Sequence, residues 1–346
     1  MKLALFTHLP WPENVSQQDV FQGAVEQVQV AESSGYHSAW FAEHHFTRYS
    51  MGASLGVILG HMAAATQKIR LGTGVIVPIL HNPIRIAEDT ATVDILSGGR
   101  LDVGFGRGVY SYEYGGFGIP EKDSHKRFRE SVLSVQDMWT TRPVSLEGDF
   151  YSLRNIDLVP SPIQKPHPPI YIAASRSAET LEFLVENQFL LCIAVVQDTK
   201  HALELVSRYK KLCSDSARPS NMSEVPFFRY VHVSETEERA IEATKQHIEW
   251  IQDIMQWRRF LMDSTEVDKS ILDWRRERTE LPPSYEYIME NRAFIGTPEQ
   301  IAEKILYLKS EGIEYFGANF AMAGLSQKEI LATMSLFEDK VMPLIV

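Results

Sequence analysis

Cysteine is nearly absent: Cys192 and Cys213 are the two in 346 residues. Two thiols in so long a chain build neither a disulfide framework nor a cysteine-rich zinc site, and they fit a reducing cytoplasm. Long apolar runs are missing too. No stretch approaches the roughly 18 residues that cross a bilayer. Met1–Phe6 is too short for a signal peptide, with Pro10 and Pro12 close behind. Positive charge is in deficit, with 34 Lys and Arg against 45 Asp and Glu and a net charge of -11. Such a chain repels phosphate backbones and anionic lipid, so nucleic acid and membrane surfaces are not expected partners. Low-complexity segments, internal repeats and a Gly-rich dinucleotide fingerprint after a strand are likewise absent.

Apolar material is ample at 44% of residues. It falls into eight short runs separated by helical patterns: Leu3 to Thr7, Ser38 to Ala42, Ile69 to Val77, Arg100 to Phe105, Ile170 to Ala173, Leu190 to Val195, Phe227 to Val233 and Tyr315 to Phe320. Strand-like runs alternating with helices read as parallel βαβ units, and eight of them close into a (β/α)8 barrel. An open doubly wound sheet has the same local pattern. The chain reads as one α/β domain over 1–346 with two insertions. One is a hairpin from Val144 to Leu153 around Gly148-Asp149. The other, roughly 256–292, is rich in charge and Trp and is long enough for a mobile lid. Ser16 with Asp19 three positions on resembles a helix-starting capping box.

A parallel barrel carries its chemistry where the strands end. Past the second run stands Glu43-His44-His45-Phe46. An imidazole there is an acid or base near neutral pH, or one partner in a structural hydrogen bond, and both readings stand. Neighbouring side chains on a strand point to opposite faces, so one of the two histidines faces the barrel mouth. A metal site needs a third ligand, and the sequence pattern supplies none. Past the fourth run, Gly104-Phe105-Gly106-Arg107-Gly108 suits close approach to an anion, with Arg107 as a forked contact. Val109 stands where a dinucleotide fingerprint needs Gly. Past the fifth run, Ser175-Arg176-Ser177 opens a helix, where free N–H groups and hydroxyls favour a phosphate or simply cap the helix. Tyr110 and Trp250 are candidate pocket walls.

The order and spacing of several segments resemble the luciferase-like monooxygenases, most closely the bacterial luciferase α subunit. They include Ala42 to Thr47, Gly72-Thr73 with Ile76-Val77-Pro78, Gly98 to Leu101, Arg107 to Tyr110, Gly296 to Glu299, Met334 to Phe337 and Val341 to Pro343. The resemblance implies a barrel that binds reduced FMN, supplied by a separate NAD(P)H:flavin reductase, and adds O2 at the flavin C4a position to give a (hydro)peroxide. It implies a two-component monooxygenase acting on a small organic substrate. His44 matches the catalytic imidazole, Arg107 the flavin-phosphate arginine and Val109 a backbone contact beside it. Ser175 and Arg176 match a second phosphate segment, Gly74-Val75 a cis peptide beneath the flavin, and Tyr110 and Trp250 residues near the pocket; His45 shares the candidate substrate side. It also implies a homodimer in which His81 approaches Glu88 of the partner. Gly106 replaces a reactive cysteine, and Ala194-Val195-Val196 replaces a tryptophan-bearing segment, so a substrate other than a long-chain aldehyde is expected. A deazaflavin-dependent oxidoreductase and a non-catalytic flavin-binding accessory subunit are the alternatives on the same barrel.

Overall fold

The computed structural model describes residues 1–175, 177–261, 265–266 and 271–345. Its strands are β1 (Lys2–Thr7), β2 (Ser38–Phe41), β3 (Arg70–Ile76), β4 (Leu101–Phe105), β5 (Val144–Glu147), β6 (Ser152–Ile156), β7 (Ile170–Ala173), β8 (Leu190–Cys192), β9 (Phe227–Val233), β10 (Ala293–Gly296) and β11 (Tyr315–Asn319). Nine of them share one sheet in the order β10-β9-β11-β1-β2-β3-β4-β7-β8, and every pairing in it is parallel.

The sheet closes on itself. Ile193, just past β8, bridges to Phe227 of β9. Its N–H donates to Pro226 at 3.0 Å, and its carbonyl accepts from Phe228 at 3.2 Å. The ring is therefore β1, β2, β3, β4, β7, β8, β9 and β11, an eight-stranded parallel barrel. Strands buried on both faces need no alternation, which is why they read as continuous apolar runs. Each of the eight runs is a strand of this ring. The ninth strand, β10, lies outside it against β9 and was not among the expected runs. Four residues at the edge of a charged insertion give too little pattern to register.

Aromatic rings fill the barrel. Trp40 lies edge-on to Tyr171 with ring centroids 5.0 Å apart, and Phe6 packs on Phe228 at 4.6 Å. Gly72 makes room for this layer, since a Cβ there would lie 2.2 Å from Trp40 Cδ2. Ser16 caps helix Gln17–Ser33 by accepting the Asp19 N–H at 3.0 Å. The expected hairpin is β5 paired antiparallel with β6. The expected lid contains the end of helix Glu237–Phe260 and helices Ile271–Glu277 and Tyr285–Asn291. Arg275 and Arg278 pair with Asp253, and Trp274 stacks on Trp257, so helix Ile271–Glu277 and Arg278 just after it are packed onto helix Glu237–Phe260. Positions 262–264 and 267–270 of that insertion lie outside the described residues.

Candidate active site

A cavity of about 250 Å³ opens where the ring strands end. Phe6 and His8 border it from β1, His44 from β2, Gly74 and Val75 from β3, Gly106 to Tyr110 from β4, Ser175 and Ser177 from β7, and Phe228 from β9. The Gly74–Val75 peptide is cis. Gly106 is forced by close approach: a Cβ there would lie 2.5 Å from Val75 Cγ2. A cysteine at this position would collide with the Val75 side chain of β3.

One end of the cavity is rich in donors. Arg107 is half-buried, with one guanidinium nitrogen 3.2 Å from Ser124 Oγ. Ser177 caps helix Ala178–Glu186, accepting from the Thr180 N–H at 3.3 Å. Ser175, Thr180, His125 and Arg129 border the same region. Burial, then the Arg107 charge, hold the His125 imidazole below its ordinary range. Cations, hydroxyls and a helix N-terminus together make an anion site, and these residues fit a phosphate monoester. Arg176, expected here, lies outside the described residues.

The other end carries imidazole and phenol rings. His44 Nδ1 lies 3.0 Å from Glu113 Oε1, and Glu113 is buried in the short helix Ser111–Gly116. A carboxylate at Nδ1 makes that nitrogen the donor and leaves Nε2 for chemistry. Tyr110 and Tyr49 stand 5.3 and 5.2 Å from the His44 ring. Burial, only partly opposed by Arg259, pushes the Tyr110 hydroxyl up to about 12, so it is a donor at neutral pH. Cys192 also borders the cavity, but burial pushes its thiol up to about 12 and keeps it protonated.

The adjacent histidines part company. His45 turns to the opposite side, where its Nε2 donates to Glu43 at 2.9 Å. His81 Nε2 donates to the same Glu43 oxygen at 2.7 Å, and the Val77 N–H reaches the second oxygen at 3.1 Å. Glu43, His45 and His81 are therefore close enough to hold a metal ion. His81, 38 positions from Glu43 along the chain, is the third ligand-type group that no motif in the sequence offers. The three donors also satisfy the Glu43 carboxylate, which explains the cluster as a brace between β2 and β3. His45 and Trp250, expected at the substrate, do not border the cavity. Strand alternation carries His45 away. Trp250 sits on helix Glu237–Phe260 and donates its indole N–H to Glu13 at 3.0 Å.

Sequence reading missed His8, Tyr49, Glu113, His125 and Arg129. His8 stands just past the first run, so the rule that found His44 applies equally to it. Glu113 had no such signal, because helix Ser111–Gly116 is too short to show periodicity.

Comparison with known proteins agrees with the barrel fold. The family model for luciferase-like monooxygenase matches residues 1–315. The oxygenase component of a flavin-dependent trigonelline monooxygenase from Acinetobacter baylyi is 26% identical, over 99% of this chain and 95% of that protein. An alkanal monooxygenase alpha chain of the Kryptophanaron alfredi symbiont is 24% identical, over 99% and 98%. Among solved structures, monooxygenase RslO1 from Streptomyces bottropensis superposes with a TM-score of 0.86 at 22% identity over all of both chains. The oxygenating constituent of 3,6-diketocamphane monooxygenase from Pseudomonas putida, in complex with FMN, gives 0.78 at 18% identity over 100% and 99%. An F420-dependent secondary alcohol dehydrogenase shares the fold at 0.76 and 18% identity, over 100% and 99%. The chain belongs to the luciferase-like monooxygenase family and is an oxygenating enzyme.

Proposed function

We propose that this enzyme is the oxygenase component of a two-component system, which takes reduced FMN from a separate NAD(P)H:flavin reductase and oxygenates a small organic substrate. The observation that carries the reading is the polarity of one cavity, with an anion site at one end and a buttressed imidazole at the other. Arg107, Ser175 and Ser177 would hold the FMN phosphate, with Val109 beside it, and Gly74 and Val75 would border its ring system. When bound, the reduced flavin supplies the electrons that activate O2.

His44 is the acid or base. Its Nδ1–H is held by Glu113, so Nε2 exchanges a proton with the reacting oxygen. Phe6, Phe228 and Tyr110 line the same cavity with apolar ring faces that help exclude water. Two polar ends and one reaction-facing imidazole also argue against an accessory role. The assembly is proposed to be a homodimer through the region of His81 and Glu88. His81 spends Nε2 on Glu43 of its own chain and has Nδ1 for a carboxylate of the partner. No helix among the described residues is long and apolar enough to cross a membrane.

The deciding experiment is oxygen uptake with chemically reduced FMN compared with a reduced deazaflavin. Uptake with FMN and none with deazaflavin is expected. Hydride transfer from the deazaflavin to a carbonyl acceptor, without oxygen uptake, identifies the alternative.

A further inference from the structure

The flavin reading accounts for the donor-rich end of the cavity and for His44. It leaves the ring-lined end, after β1 and β2, without a ligand, and the inference below rests on that reading. At this end His8 is the hub. Its Nε2 lies 2.9 Å from Tyr49 Oη, and its Nδ1 lies 3.3 Å from Asn319 Nδ2. All three residues are at most 6% exposed. They come from the end of β1, the loop after β2 and the end of β11.

The bonds run in one direction. Burial, then the charge of His44, hold the His8 imidazole well below its ordinary range, so it is neutral and has one N–H. An amide N–H of Asn319 faces Nδ1, which makes Nδ1 the acceptor. Nε2 then carries the proton and donates it to Tyr49 Oη. The Tyr49 oxygen accepts from His8, so its own O–H points elsewhere. Tyr230 Oη lies close by but has no hydrogen bond of ordinary geometry, and Asn319 Oδ1 is also buried without a partner. Buried polar groups rarely stay unpaired, and His8 and Tyr49 are the members of this group that border the cavity, so the Tyr49 hydroxyl marks a place for a polar ligand atom.

The surroundings describe the rest of that ligand. His8 and Tyr49 rings are 4.6 Å apart, His44 and Tyr49 5.2 Å, and Phe6 and Phe228 4.6 Å. Stacked and edge-on faces reward a flat π-system. Among the described residues Glu43 is the carboxylate that borders this cavity, and it is committed to two histidines, so the lining offers no unpaired acid to a ligand cation. A flexible aliphatic chain gains little from ring faces and a single donor. We propose that Tyr49, oriented by His8 and Asn319, donates its hydroxyl proton to the oxygen of an uncharged aromatic substrate, a phenol or aryl ketone, stacked among these rings. Tyr49 is thus a specificity residue, and His8 and Asn319 are positioning residues.

The test uses 1-naphthol, naphthalene and decanal as probes in calorimetric titrations of the full chain, with and without FMN. 1-Naphthol binds about tenfold more tightly than naphthalene, the worth of one good hydrogen bond. Decanal does not displace it. Tyr49→Phe keeps the ring and abolishes the preference, so that both probes bind alike, while FMN binding persists. His8→Leu abolishes it too, by releasing the Tyr49 hydroxyl from its orientation, and guards against an unstable first variant. Equal binding of the two probes to the wild type, an undiminished preference in Tyr49→Phe, or displacement by decanal overturns the proposal. Failure to bind FMN sinks the flavin reading instead, and the naphthol preference, read without FMN, still decides this one.

Discussion

His44 Nδ1 and Glu113 Oε1 are 3.0 Å apart, and the same Glu113 oxygen accepts the His45 backbone N–H at 3.0 Å. One buried carboxylate oxygen thus fixes both the ring of His44 and the backbone that follows it. This pins the imidazole at the cavity wall with Nε2 as its working nitrogen. His44→Ala is expected to bind FMN normally and to cut product formation by about 10²–10⁴-fold, with most consumed oxygen released as hydrogen peroxide. Paired measurements of product and peroxide check this. Weakened FMN binding with normal turnover at saturation makes His44 a spacer instead.

Glu113→Gln keeps an acceptor but removes the charge that steadies a protonated His44. A fall in kcat of about tenfold is expected, with FMN affinity intact. Glu113→Asp retains the charge and recovers part of the rate. A variant pair in which Gln is as active as Asp shows that the carboxylate serves only to pack the loop.

Arg107→Ala removes a charge-assisted contact worth about 1.5–3 kcal/mol. The dissociation constant for reduced FMN is expected to rise by about ten- to a hundredfold. Anaerobic titration measures it, and an unchanged value overturns the phosphate assignment. Riboflavin, which lacks the phosphate, is expected to bind wild type and variant alike.

No strand in this chain is followed by a Gly-rich dinucleotide loop. Purified protein with FMN and no reductase is therefore expected to oxidise NADH or NADPH at a negligible rate. Rapid turnover in a spectrophotometric assay contradicts the two-component reading.

The barrel was legible because its strands are buried on both faces, and burial writes itself as apolar runs such as Phe227 to Val233. His44 and Arg107 were legible because each stands two residues past such a run, Ser38 to Ala42 and Arg100 to Phe105. Glu113 and Tyr49 were not, since loop and short-helix residues reach the site through tertiary packing that leaves no period in the sequence. The same limit hid the cluster around Glu43. Thirty-eight positions separate Glu43 from His81, and the two meet because β2 and β3 are neighbours in the sheet.

That cluster gives the fold a pH signature whose sign can be worked out. Burial alone would raise the Glu43 carboxyl, but hydrogen bonds from His45 and His81, with their charges, hold it below its ordinary range. Burial alone would lower the His81 imidazole, but the bond to Glu43 and the Glu43 charge raise it above its ordinary range. A depressed carboxyl contributes stability that is present above its unfolded value near 4.5 and lost as pH falls through its lower folded value. A raised imidazole contributes stability that is present below its unfolded value near 6.5 and lost as pH climbs through its higher folded value. The pair therefore stabilises most between these two unfolded values. His81→Ala is expected to cost about 1–2 kcal/mol in that window. Melting temperatures of wild type and variant should converge as pH rises from near 6.5 through the raised folded value of the imidazole, where it loses its proton. Wild type and variant should also converge as the buffer is made acidic enough to protonate Glu43. Thermal unfolding across that range reads both arms. A gap that stays constant with pH shows that His81 acts by packing alone and that its bond to Glu43 carries no charge.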